Sequence, residues 1–198
     1  MITVAYIGFG VSVREYHIPY VENRDDIKVK YVYRREEDIA AFAEYEPFYP
    51  EIIFTTDLDQ VLNDDEVNLV VVNTPDRFHV PYAKQILNAG KHALVEKPFA
   101  PTSAEAREVF DLAKEKGLIC MPNQNRRFDA DFLAVKEVLE SGKLGQLVRL
   151  EGNVLQQAGE RGLDGRGGHI ELLHGELGRG IPCPVEARLD LDRRLGHA

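Results

Sequence analysis

A regular alternation over residues 1–155 constrains the fold of this chain more than any other feature. Short apolar or β-branched runs (Val4–Ile7, Val29–Tyr33, Ile52–Phe54, Leu69–Val72, Ala93–Val95 and Leu118–Met121) recur between turn residues and helix-like stretches. Runs of this length bounded by turn signals read as buried strands. Between them, Pro81–Ala89 carries Tyr82, Ile86 and Leu87 before Gly90, and a glycine just past the last apolar turn is a helix stop. Thr102–Lys116 places Val109, Phe110, Leu112 and Ala113 along one face and ends at Gly117; either Thr102 or Ser103 can cap it. Asp129–Ser141 repeats the pattern with Phe132, Val135, Val138 and Leu139, then Gly142. Strand, helix, strand in series predicts a parallel sheet with helices on both faces, a doubly wound α/β fold.

The first strand runs into Gly8-Phe9-Gly10. In a dinucleotide-binding turn the first glycine permits the tight bend, the second lets backbone approach the pyrophosphate, and the third lets the helix pack closely. Here the third position is Val13. That change touches packing alone, so the helix is predicted to stand slightly off the sheet with phosphate binding kept. Ser12 adds a hydroxyl where a helix start offers N–H groups to an anion. A bare G-x-G also fits an ordinary strand-to-helix turn, but its place after the first strand favours a cofactor turn. The end of the second strand carries Arg34 and Arg35, where an acidic residue would meet a free ribose 2′-OH. Two guanidinium groups suit a 2′-phosphate, so NADP is predicted over NAD. The alternative is a solvated pair neutralised by Glu36 and Glu37.

The formal net charge of −9 argues against a general nucleic-acid binder, since phosphate neutralisation needs clustered Lys and Arg. No apolar run approaches the ~18 residues of a membrane span, and the N-terminus lacks a signal pattern. Cys120 and Cys183 stand far apart with no C-x-x-C, which indicates neither a metal site nor a disulfide framework and predicts a reducing, cytoplasmic setting. From Gln156 on the chain changes character. Residues 156–198 hold nine of the 16 glycines, no aromatic residue, and arginine without lysine. That composition fits either a flexible glycine-rich tail or out-of-frame translation of a GC-rich gene.

Four motifs stand in order: G-F-G-V-S with H-I-P, then N-T-P-D-R-F-H, E-K-P-F and P-N-Q-N-R-R-F-D. Together they resemble the Gfo/Idh/MocA oxidoreductases, the glucose–fructose oxidoreductase and inositol dehydrogenase family, over about residues 1 to 155. The resemblance implies an NAD(P)-binding Rossmann domain over residues 1–122 and the start of an α/β substrate domain over 123–155, incomplete here. Residues 156–198 form the atypical tail. By the same resemblance Asn73, Thr74, Pro75 and His79 line the ribose and pyrophosphate side of the cofactor. Glu96 and Lys97 sit beside the nicotinamide, Lys97 also reaching the substrate oxygen as the catalytic residue, and Gln124 and Arg126 border the cofactor from the domain junction.

The activity implied is hydride transfer between nicotinamide and a sugar, polyol or related hydroxylated substrate, with a homo-oligomer as the full-length form. A non-catalytic nucleotide-binding regulator or interaction module is the alternative. Such dehydrogenases bring an Asp and a His on a helix of the second domain. The tail offers His169, His174 and His197 without an Asp spaced to share a helical face with the first two. Leu147–Asn153 is expected to be a lone strand with an unpaired edge, and turnover by these 198 residues alone is not expected.

Overall fold

The structure, a computed structural model, describes residues 1–153 and the strands 169–174 and 186–188. It divides into two units, Met1–Gln124 and the residues from Asn125 onward. In the first unit the order is β1 (Ile2–Ile7), α1 (Val11–Tyr16), α2 (Ile18–Val21), β2 (Ile27–Tyr33), α3 (Ile39–Phe42) and β3 (Ile53–Thr55). There follow α4 (Leu58–Leu62), β4 (Leu69–Val72), α5 (His79–Asn88), β5 (His92–Val95), α6 (Ser103–Glu115) and β6 (Cys120–Pro122). The strands form one sheet in the order β3-β2-β1-β4-β5-β6, every pairing parallel. This is the Rossmann strand order, with the reversal falling between β1 and β4.

Continuous apolar strands follow from burial on both faces. Along β1, Ala5 and Ile7 enter one core with Val70, Val72, Ile86, Leu87 and Val109. Val4 and Tyr6 enter the other, with Phe9, Val13, Ile18, Val32 and Val71. Val13 is thus taken wholly into the core, and α1 lasts only six residues before His17 separates it from α2, whose start holds Pro19. Thr102 is the cap of α6: its hydroxyl accepts from Glu105 N–H at 3.2 Å and donates to the Glu105 carboxylate at 2.7 Å. That reciprocal arrangement places the helix start. Among the described residues no helix is long and apolar enough to cross a membrane.

The second unit opens with a 3-10 turn (Asn125–Phe128), followed by α7 (Ala130–Glu140), β7 (Leu147–Asn153), β8 (His169–His174) and β9 (Glu186–Arg188). The expectation of a lone strand is corrected here. β7 pairs antiparallel with β8, Leu147 opposite His174 and Asn153 opposite His169, and β8 pairs with β9. Ile170 and Leu172 supply the period-two spacing of a strand, a signal hidden by the surrounding glycines. The rest of the expected tail lies outside the described residues.

Candidate functional site

The ends of β1, β2 and β4 enclose a cavity of about 200 Å³ that opens at Gly10 and the Asn73-Thr74-Pro75 turn. Gly8 occupies the left-handed region at φ +101, and a Cβ there would lie 2.3 Å from the Asn73 carbonyl oxygen. Only glycine fits: its N–H donates to the Tyr33 carbonyl at 2.8 Å while Asn73 N–H donates to Ile7 at 2.8 Å. Gly10 has the opposite character. It starts α1, and a Cβ would meet nothing within 4 Å, so open space lies where its backbone faces the cavity. The Phe9 ring is buried edge-on against Phe42, Tyr49 and Phe54 at 6.0, 5.6 and 5.0 Å. Its aromatic side chain therefore holds the turn to the core, and only its backbone can meet a ligand.

Two polar atoms of cavity-lining residues, Asn73 Oδ1 and Thr74 Oγ1, are buried without a hydrogen-bond partner among the described residues. Buried polar groups are nearly always satisfied, so two orphans beside an open glycine turn are what a bound polyhydroxylated nucleotide would complete. The donor and acceptor set fits a dinucleotide.

Beside this wall lies a polar network that joins strand ends far apart in sequence. Asn73 Nδ2 donates to Ser12 Oγ at 3.1 Å. Glu96 Oε1 accepts from His17 Nε2 at 2.9 Å and from Asn123 Nδ2 at 2.6 Å, and its Oε2 accepts from the Lys97 N–H at 3.2 Å. Burial pushes the Glu96 carboxyl up, but the bonds from His17, Asn123 and Lys97 outweigh it and hold the group at about 2. Glu96 is therefore a fixed carboxylate, its side chain 14% exposed against 9% for His17.

The β2 rim carries the opposite kind of electrostatics. Arg34, 10% exposed, pairs with Glu46 and lies over the Phe54 ring. Arg35, 29% exposed, is held by Asp38 through two bonds at 2.9 and 3.1 Å and by Glu37 at 2.8 Å. Asp38 lines the cavity with both arginines. Across from them Tyr33 and Tyr82 meet edge to face at 6.2 Å. Burial and a hydrogen bond with Tyr33 push the Tyr82 hydroxyl up to about 12, so it stays neutral.

Of the residues singled out from sequence, Gly8, Phe9, Gly10, Arg34, Arg35, Asn73, Thr74 and Pro75 meet around the cavity. Ser12 and Glu96 stand in the network behind it. Lys97 is exposed at the end of β5, and among the described residues no carboxylate pairs with its amine; the Lys97–Pro98 peptide bond is cis. His79 is 1% exposed, both its ring nitrogens face backbone carbonyls, and it stands outside the residues that line this cavity. Gln124 is exposed past β6, and Arg126 belongs to the second unit, where it pairs with Asp129 at 2.9 Å. Asp38, Glu46, Asn123 and His17 carry no individual role in the sequence reading, yet each pairs within the site. Only their strand-end positions, after β2, after β6 and before α2, hinted at them.

A family model described as an oxidoreductase family with an NAD-binding Rossmann fold matches residues 2–124. The chain is 54% identical over 152 residues to YhhX of Escherichia coli, named an uncharacterized oxidoreductase, covering 76% of this chain and 43% of that one. It is 31% identical over 144 residues to the scyllo-inositol 2-dehydrogenase (NADP(+)) IolW of Bacillus subtilis, covering 72% of this chain and 38% of that one. The crystal structure of an oxidoreductase from Bacillus cereus superposes with a TM-score of 0.69 at 46% identity, over 76% of this chain and 42% of that one. The chain thus spans about two fifths of the length of the curated relatives it matches. The glycine turn, the strand order and the matched 2–124 span agree: the chain belongs to the Gfo/Idh/MocA oxidoreductase family, with its NAD-binding Rossmann fold.

Proposed function

We propose that this protein binds a nicotinamide dinucleotide, NADP(H) in preference to NAD(H), in the cavity at the ends of β1, β2 and β4. In that reading it serves hydride transfer to or from a sugar, polyol or related hydroxylated substrate. The observation that carries the reading is the pair of unpartnered buried atoms, Asn73 Oδ1 and Thr74 Oγ1, beside the open face of Gly10. A bound nicotinamide would supply the hydride donor or acceptor. The chain's own residues do the rest. Gly8 and Gly10 let the backbone approach a pyrophosphate. Asn73 and Thr74 offer hydrogen bonds, and Arg35, at the exposed rim, meets a 2′-phosphate by exchanging its surface pairing with Asp38. The name of IolW, which carries NADP(+), supports the phosphate preference.

Arg34 lines the same cavity and packs its rim wall against Glu46 and Phe54. Lys97, exposed beside the fixed Glu96 carboxylate, is the residue proposed to hold the substrate oxygen and carry the proton that balances a hydride. Titration of the chain with NADPH and with NADH, followed by nicotinamide fluorescence, tests the cofactor: NADPH is expected to bind more tightly, and binding of neither would end the reading. In a chain that also carries a complete substrate domain, assayed with a panel of polyols, Lys97→Ala is expected to leave dinucleotide affinity intact and remove turnover. Unaltered turnover would take that role from Lys97.

A further inference from the structure

His79 begins α5 and is almost completely buried, at 1% exposure. Its Nδ1 lies 2.7 Å from the Pro98 carbonyl oxygen and its Nε2 lies 2.8 Å from the Thr74 carbonyl oxygen. A carbonyl oxygen can only accept, and a neutral imidazole has one N–H donor and one bare nitrogen. In the neutral ring one of these contacts would set two lone pairs against each other in a site without water access. Turning the ring over does not help, since it sets C–H groups against the two carbonyls. Separations of 2.7 and 2.8 Å fall in the range of charge-assisted bonds.

We propose that His79 carries a proton on both ring nitrogens and acts as a positioning residue, a buried cation that locks the Thr74 turn to the Lys97-Pro98 turn. The two turns leave neighbouring strands, β4 and β5. One presents Thr74 to the cavity wall and the other presents Lys97. Clamped through one rigid ring, the cofactor wall and the proposed catalytic lysine keep a fixed spacing, as a pre-organised site requires. The cation also stands one residue behind the cavity wall, where its charge favours a ligand carrying a pyrophosphate. This second consequence rests on the dinucleotide reading above; the protonation of the ring does not.

The ring is read directly by long-range proton–nitrogen correlation on the isotope-labelled chain without ligand at neutral pH, His79 being assigned among the six histidines by through-bond correlation of its ring to its own backbone. Both nitrogens are expected in the protonated range with two slowly exchanging N–H protons. One unprotonated nitrogen would overturn the proposal, whatever the variant does to folding. The clamp is read by amide exchange. Gln offers donors from one nitrogen and cannot span both carbonyls, so in His79→Gln protection is expected to fall together at residues 74–76 and 97–99, with about tenfold weaker NADPH binding. Loosening of one turn alone would overturn the clamp. Absence of NADPH binding by the unaltered chain would sink the dinucleotide reading and leave the imidazolium assignment standing.

Discussion

At the β2 end of the cavity five charged side chains (Arg34, Arg35, Glu37, Asp38 and Glu46) pair among themselves, and the Arg35 pairings lie partly open to solvent. At the β4 and β5 ends a single carboxylate, Glu96, is enclosed by His17, Asn123 and the Lys97 N–H. Exposed pairs contribute roughly 0–1 kcal/mol each and exchange partners readily. Breaking an enclosed charged cluster costs several kcal/mol, because it strands a charge away from water. The rim can therefore rearrange around a ligand, while the strand ends hold a fixed geometry.

The largest effect should come where the strand ends touch the glycine turn. Gly8→Ala forces an L-residue into positive φ, costing about 1–2 kcal/mol, and drives a Cβ into the Asn73 carbonyl, an overpacking of about 1–3 kcal/mol. A loss of about 3 kcal/mol in urea unfolding is expected. Gly10→Ala meets nothing within 4 Å and should stay within about 0.5 kcal/mol of the original stability, while weakening NADPH binding tenfold or more. An unchanged urea midpoint for Gly8→Ala would mean that the β4 end is as adaptable as the rim, and the contrast would fail.

Glu96 gives the next largest effect, and a pH dependence of fixed sign. Its carboxyl is held at about 2 against an ordinary 4.5. Since the folded value is depressed, the stabilisation is fully present above pH 4.5 and is lost as pH falls from there through 2. The amount at stake is about 3 kcal/mol. Glu96→Gln keeps the size of the side chain and removes the titration. Its stability should fall less steeply than that of the unaltered protein between pH 5 and 2. Parallel profiles would show that the His17 and Asn123 bonds do not discriminate the ionised form.

The sheet and the turn were legible in the sequence because their signals are local. Leu69–Val72 is an uninterrupted apolar run ending in three valines, and it is strand β4 residue for residue. Gly8-Phe9-Gly10 marked the turn because glycine signals backbone geometry within a few residues, whereas Asn73-Thr74-Pro75 was placed beside it by the family resemblance. The partners were not legible. His17 meets Glu96 across 79 positions, and Asn123 meets Glu96 across 27. Those contacts exist only because parallel order sets the ends of β5 and β6 side by side, next to the α1–α2 junction. Arg34 and Arg35 read as two equal cations in sequence. Folding separates them, since Glu46 reaches Arg34 from beyond α3 and buries it, whereas Asp38 reaches Arg35 from three residues away.

That separation sets a smaller effect at the rim. Arg35→Ala should cost NADPH about 1–3 kcal/mol of binding relative to NADH, the value of hydrogen bonds to a charged group, with little change in unfolding. Arg34→Ala should do the reverse: it leaves Glu46 without its partner and lowers stability, with the ratio of the two affinities nearly constant. If both variants shifted the ratio equally, the rim would hold two exchangeable cations and the burial difference would be irrelevant to recognition.

The smallest effect is the most specific. Asp38 grips Arg35 through two nitrogens and lines the same cavity, so a 2′-phosphate must compete with its carboxylate for the guanidinium and also bear its repulsion. Asp38→Asn weakens both, and NADPH should bind more tightly by up to about 1 kcal/mol, the worth of an exposed ion pair. NADH brings a hydroxyl in place of the phosphate and loses an anionic acceptor, so its affinity should fall slightly. Raising the ionic strength should shrink the difference between the two proteins, because screening acts on partly exposed charges. A gain for NADPH that persists undiminished at high salt would place the carboxylate's influence in the enclosed half of the cavity, and the division between an adaptable rim and fixed strand ends would have to be redrawn with Asp38 on the other side.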